Sequence, residues 1–217
     1  MNRVTGEDGN RYYITPSGNQ YESVTSLTGK VNAKAIQKWR EKVGEEQANK
    51  ISTRAANRGT SMHKTCEKYL LNEIPKDPLG RMLLEDVNPL NTAMFNKIKP
   101  LMERLDNIKL VEGTMYSDLL KLAGTADCVA DYSGTLSVID FKTSTHPKKK
   151  EYIGNYFMQG AAYGKMYEEL YGKTPEKIVI MMAVENLGHA VTYIEPFDKC
   201  FQMLTDFMGT LNEEVLS

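Results

Sequence analysis

A chain of 217 residues, 41% hydrophobic and 25% charged, is long enough to bury a core and fits one domain with an appendage. Its 27 Lys and Arg nearly balance 28 Asp and Glu, so no global basic field marks it for nucleic acid, and an anionic partner would be gripped by a local patch. The longest apolar run, Ile178 to Val184, falls far short of the ~20 residues a membrane helix needs, and Cys66, Cys128 and Cys200 form no CxxC pair. The start carries Glu7 and Asp8 and no apolar signal core. Together these features argue against a membrane-spanning helix, a zinc ribbon, a four-cysteine iron–sulfur cluster and a disulfide framework, and the expectation is a soluble cytoplasmic protein.

In chain order, Ser17-Gly18-Asn19 is a turn signal between two aromatic stretches and predicts a small hairpin. Helices follow over Ala33 to Val43 and, after a break at Gly44, over Glu45 to about Asn57. Arg58-Gly59-Thr60 predicts a second break, with Thr60 or Ser61 capping a further helix to Leu71. Pro75, Pro78 and Gly80 mark a loop, and a helix over about 92–105 is bent or interrupted by Pro100. The second half turns to strands at Ile108–Tyr116, Leu122–Asp131, Thr135–Thr143, Lys177–Val184 and Ala190–Ile194. Helices over about Tyr152–Tyr171 and Asp198–Glu214 complete it. This order predicts an α/β fold, a central mixed sheet flanked by helices, with a helical N-terminal half. Residues 1–106 form a hairpin and helical region covering the site, and residues 107–217 form the core, within one compact unit.

Chemistry concentrates around Ser133-Gly134, a two-residue turn signal. Pairing across it sets Tyr132 against Thr135, Val129 against Val138 and Asp127 directly against Asp140. Lys142 falls on the same side as Asp140, while Ala126, Cys128, Ile139 and Phe141 take the other. Two facing carboxylates among apolar neighbours repel and are poorly solvated. A hard divalent cation, Mg²⁺ with Mn²⁺ as substitute, relieves both problems. The residues alone leave this reading beside a plainer one, an ordinary ion pair of Lys142 with one aspartate.

Ala-Gly-Thr-Ala-Asp127, followed after thirteen residues by Asp140-Phe-Lys142, resembles the core of the PD-(D/E)xK nuclease superfamily. Gln159 and Tyr163 resemble the Q-x3-Y of its RecB-like branch, and Arg58-Gly-Thr-Ser-Met-His63-Lys-Thr-Cys-Glu67 resembles the helix that supplies a metal-proximal histidine there. With no helicase segment and no cluster cysteines, the chain is most similar to the mitochondrial genome maintenance exonucleases and their phage relatives.

The resemblance implies a restriction-endonuclease-like core and Mg²⁺-dependent hydrolysis of DNA phosphodiesters, on single strands or flaps with a free end. It implies that Asp127, Asp140, His63 and the main-chain carbonyl of Phe141 hold the metal, with Lys142 and Gln159 also in the catalytic set. Glu67 either binds a second ion or holds His63, and Glu112 is read as simply solvent-exposed. Thr143, Ser144, Lys148, Lys149, Lys150, Tyr163 and Arg58 are the DNA-binding candidates. Trp39, Arg40, Lys42 and Arg54 extend the basic and aromatic set, although Trp39 is read as core. No iron–sulfur cluster is expected, and a monomer is favoured. The stand-alone form points to a phage-encoded enzyme acting in a bacterial host. The alternatives are a ring-forming duplex-resecting exonuclease and a DNA-binding module of the same fold that has lost its chemistry.

Overall fold

The protein is described by a computed structural model over residues 1–86 and 88–216, with side chains described to residue 211. The chain forms, in order, β1 (Asn2–Thr5), β2 (Arg11–Ile14), β3 (Gln20–Ser23), α1 (Val24–Gly29), α2 (Ala33–Val43), α3 (Glu45–Leu70) and α4 (Pro89–Met102). Then come β4 (Leu105–Ser117), β5 (Leu122–Tyr132), β6 (Thr135–Ser144), α5 (Gly154–Tyr171), β7 (Lys177–Val184), β8 (Ala190–Pro196) and α6 (Phe197–Leu216). The eight strands make one mixed sheet. Its most buried member, β7, is the long apolar run of the sequence, as a strand covered on both faces requires. On one face lie α1, α5 and α6, packed on Val129, Val138, Ile178 and Ile180. On the other lie α3 and α4, packed on Cys128, Ile139, Phe141 and Val179. No helix among the described residues is long and apolar enough to cross a membrane.

The N-terminal hairpin exists as β2 and β3, with β1 added as a third strand that the short polar run 2–5 does not advertise. It is no free appendage, because β3 pairs in parallel with Leu122 and Ala123 of β5. The break expected at Arg58–Thr60 is absent: α3 is continuous over 26 residues. A mid-helix glycine costs about 1 kcal/mol, but here the neighbouring turns are anchored. Arg58, Met62 and Cys66 are all buried. At Gly59 itself an added Cβ would lie 3.9 Å from the Thr143 hydroxyl, so the helix runs close over β6. Pro100 does not interrupt α4, since it falls in the last turn, and the helix starts early because Pro89 follows Asn88, whose side chain caps the Leu90 N–H. Trp39 is not core, for α2 buries none of its residues.

The topology around β5 positions everything that follows. One edge of β5 is paired with β4 from Leu105↔Tyr132 to Ser117↔Leu122, with a register shift between Asp106 and Leu110. The opposite edge is shared. β6 occupies it from Cys128 to Tyr132, and β3 takes Leu122 and Ala123. Between them, at residues 124–127, this edge has no strand partner among the described residues, so the sheet is split there.

Close packing of α5 on the sheet depends on glycine at one point: a Cβ on Gly160 would meet the Ile178 side chain at 2.3 Å. Gly160→Val is expected to destabilise the fold by about 1–3 kcal/mol, read as a lower midpoint in urea melts. An unchanged midpoint would refute this packing.

Candidate active site

Three adjacent strands deliver a carboxylate each to the split. The observed register pairs Tyr132 with Thr135, Val129 with Val138 and Cys128 with Ile139, as the Ser133-Gly134 turn predicts. The ladder ends there, one step short of the Asp127–Asp140 pair. In place of that step, the Asp127 carboxylate itself accepts the Phe141 N–H at 2.7 Å. The N–H and C=O of one strand residue face the same edge, so the Phe141 carbonyl also points into the split. Across the other edge, Val111↔Cys128 and Gly113↔Ala126 place Glu112 opposite Asp127. Glu112 adopts a left-handed φ of 46°, which breaks the pleat locally. Ala126, expected on the Cys128 face, packs instead with the α5 layer.

From above, α3 brings His63, whose Nδ1 lies 3.1 Å from Asp127 Oδ1. The donor atoms of His63, Glu112 and Asp127 lie within 4.8 Å of one another. Glu67, one turn on from His63, lines the same cleft, as do Gly59, Thr60 and Lys64. From below, Gln159 of α5 donates to Asp140 Oδ1 at 3.2 Å and reaches the Tyr163 hydroxyl at 3.5 Å. Gln159 therefore steadies Asp140 rather than Lys142. Lys142 Nζ stands 2.5 Å from Asp140 Oδ2, with the Tyr156 ring 5.1 Å away on its other side.

Burial and charge pull against each other here. Burial pushes the Asp127 carboxyl up, but His63, Lys142 and the Phe141 N–H outweigh it and leave the group below its ordinary value. Burial drives Asp140 up to about 6 against the pull of Lys142, and the Asp127 charge adds to the rise. Glu112 is raised to about 7, first by burial and then by repulsion from Asp127. For Lys142, burial favours the neutral amine, yet Asp140 and Asp127 more than offset it, and the ammonium is retained. His63 behaves alike: burial lowers it, Asp127 raises it, and the net shift is upward.

These residues fit a hard divalent cation. His63, Glu112 and Asp127 offer an imidazole and two carboxylates within 4.8 Å of one another, while Asp140 lies outside that group, beside Lys142. Asp140 Oδ2 is buried and, among the described residues, has no well-directed hydrogen bond despite the nearby ammonium. A positive ion held beside them would offset the repulsion that adds to the effect of burial on Asp140 and Glu112.

Not every candidate joins the cluster. Thr143 faces α3 at the cleft, but Ser144 is buried and its hydroxyl donates to the His146 carbonyl. Lys148 overhangs the same Tyr156 ring as Lys142, at 5.7 Å. Lys149 and Lys150 are paired with Glu151 and Glu195 instead. Arg58 is buried, with its guanidinium engaged by Glu185 and Thr145, so it ties α3 to the β7 end and does not face the cleft. Tyr163 is buried, its ring packed so tightly on Gly124 that a Cβ there would approach it to 2.9 Å, and burial keeps its phenol protonated. That contact explains the glycine of Ala-Gly-Thr-Ala-Asp127. Two residues were missed by sequence reasoning. Glu112 is half-buried rather than solvent-exposed, and carrying the strand register across the turn at 118–121 would have set it against Asp127. Tyr156 precedes Gln159 by one helical turn, a signal masked by the apolar residues around it.

The family profile of the PD-(D/E)XK nuclease superfamily matches residues 30–192, and the chain belongs to that superfamily. It is 24% identical over 187 residues to the Homo sapiens protein named mitochondrial genome maintenance exonuclease 1, covering 82% of this chain and 52% of that one. The Xenopus tropicalis protein of the same name is 24% identical over 190 residues, covering 82% and 51%. The chain thus spans about half the length of the curated relatives it matches. A crystal structure from Eubacterium rectale, of a protein assigned as an exonuclease, superposes with a TM-score of 0.50 at 15% identity, over 75% of this chain and 66% of that one, a likeness of fold.

A carboxyl whose pKa is higher folded than unfolded binds its proton more tightly in the folded chain. For Glu112 and Asp140, stability is therefore greatest when both are protonated and falls as pH rises through about 6 to 7. In metal-free protein, Glu112→Gln is expected to raise stability at pH 8 by about 1–2 kcal/mol, after discounting for partial exposure, and to change little at pH 5. The stabilisation of wild type by Mn²⁺ should shrink in the variant. Thermal melts at both pH values check this, and an unchanged pH 8 melt with undiminished Mn²⁺ response would count against the assignment.

Proposed function

We propose that this chain is a Mg²⁺-dependent DNA exonuclease that hydrolyses phosphodiesters of single-stranded DNA or flaps from a free end, in replication, recombination or repair, leaving 5′-phosphates. The observation that carries the reading is the convergence of Glu112, Asp127, Asp140, His63 and Lys142 at the split between β5 and β6. The names of the curated relatives support the exonuclease activity.

Asp127, Asp140, Glu112, His63 and the Phe141 carbonyl would hold the cation. When bound, it supplies Lewis-acid stabilisation of the phosphate and acidifies a water. The chain's own groups do the rest. Lys142 keeps its proton, so it acts as a fixed positive charge that orients the attacking water and neutralises charge growing on the non-bridging oxygens. Gln159 holds Asp140 in place, and Tyr156 limits where the Lys142 ammonium can go. Thr143, facing Gly59 of α3, and Lys148, over the Tyr156 ring, are the groups this reading assigns to flanking phosphates.

Incubating the protein with labelled linear and circular single-stranded DNA, in Mg²⁺ and in EDTA, tests the proposal. Digestion of the linear form alone, dependent on Mg²⁺, is expected. Cutting of the circle would mean an endonuclease, and tight binding without cleavage would mean a binding module. Lys142→Ala should lower the rate by about 10³-fold or more with the fold intact. Near-wild-type activity in that variant would sink the mechanism. Tyr156→Leu should lower kcat by about tenfold and Tyr156→Phe by much less, because a phenyl ring keeps the cation–π contact. Equal losses in both would remove that role.

A further inference from the structure

The helix that carries His63 separates two cavities. Thr60 and Lys64, one turn apart on α3, line both. One is the cleft with His63, Glu112 and Asp127. The other, of about 440 Å³, lies on the opposite flank of the helix under the segment 74–86. That segment is fastened down rather than merely adjacent: Asp86 accepts from Ser61 of α3 and from Asn91 of α4.

The lining divides by chemistry. Ile74, Pro75, Leu83 and Leu84 make an apolar wall, and Asn57 and Thr65 face it from the helix. Leu83 remains 53% exposed, with no packing role that accounts for a leucine there. At the rim stand Lys64 and Lys68, both paired with Glu85, a side chain 61% exposed and easily displaced. Cations on the rim, apolar faces inside and a few amide and hydroxyl groups are the requirements of a nucleotide: phosphate outside, base within. The volume is at the low end of the ~300–1,000 Å³ of small-ligand pockets, which suits one base and not a stacked run.

We infer that this cavity receives the base of one nucleotide of the bound strand, a step away from the scissile phosphate, with Lys64 and Lys68 exchanging Glu85 for strand phosphates. The inference rests on the nuclease reading and deepens it. A base must leave its stack and its pairing partner to enter such a pocket, so an unpaired strand enters at low cost and a duplex does not. The pocket is thus a device for preferring single strands that is separate from the chemistry.

The test is an abasic walk. Fluorescein-labelled oligonucleotides, each lacking one base at a successive position from the end, are titrated with protein in EDTA and followed by anisotropy. One position is expected to weaken binding by about tenfold when its base is missing, with its neighbours little changed. Leu83→Ala, at a half-exposed site that leaves the fold intact by thermal melt, should weaken binding of the complete strand and erase the penalty at that position. A penalty absent or uniform along the strand, or undiminished in Leu83→Ala, overturns the inference. Cleavage of the linear strand in Mg²⁺, measured in parallel, separates the two readings. Cleavage with a flat abasic profile removes the pocket alone, whereas no cleavage of any DNA removes the nuclease reading and the pocket with it.

Discussion

The bond from the Phe141 N–H to the Asp127 carboxylate is the constraint on which the site depends. Where a strand ladder ends inside a covered sheet, its backbone groups still need partners. Here a side chain supplies one, and β5 and β6 are free to part. Beyond that point β6 continues beside β7, and β5 continues beside β4 and β3. The gap so formed leaves Asp127 at the floor of the cleft, with Asp140 and the Phe141 carbonyl buried just behind it. A fully paired sheet would have buried the two carboxylates face to face with no room for a substrate.

The electrostatics of the gap follow from this geometry. Burial first, and then the proximity of the carboxylates to one another, raise the cost of ionising Asp140 and Glu112, and one lysine and one histidine offset only part of it. The folded chain therefore holds a locally destabilised cluster that a cation would relieve. Stability lost here is recovered by the rest of the sheet, where β7 is almost wholly buried between two helical layers.

Helix α3 is the second organising element. It runs unbroken from Glu45 to Leu70, and successive faces of it do different work. Met62, Cys66 and Leu70 enter the core, His63 and Glu67 face the carboxylates, and Lys64 and Lys68 face the segment above. Arg58, buried against Glu185, ties its middle to the end of β7. Because one rigid rod carries all of these, the imidazole is placed relative to Asp127 by core packing rather than by a loop.

Local chemistry was legible in the sequence alone. Alternation and turn residues marked the strands from β4 to β8, and Ser133-Gly134 set the register that brings Asp127 and Asp140 to one place. The spacing of Asp127, Asp140 and Lys142, with Gln159 downstream, marked the site. The sequence misled where a local signal was outweighed by contacts distant along the chain. Gly59 reads as a helix breaker, but packing on both sides of it carries α3 through. Arg58 reads as a phosphate ligand until Glu185, 127 residues away, takes its charge. Glu112 reads as a surface residue until β4 is laid against β5. Which residues are candidates for the chemistry is thus largely a property of the sequence, since strand period and turn type are local. Which carboxylates come within reach of one another, and where the sheet opens, is decided by tertiary structure, since both depend on how strands and helices remote in the chain pack together.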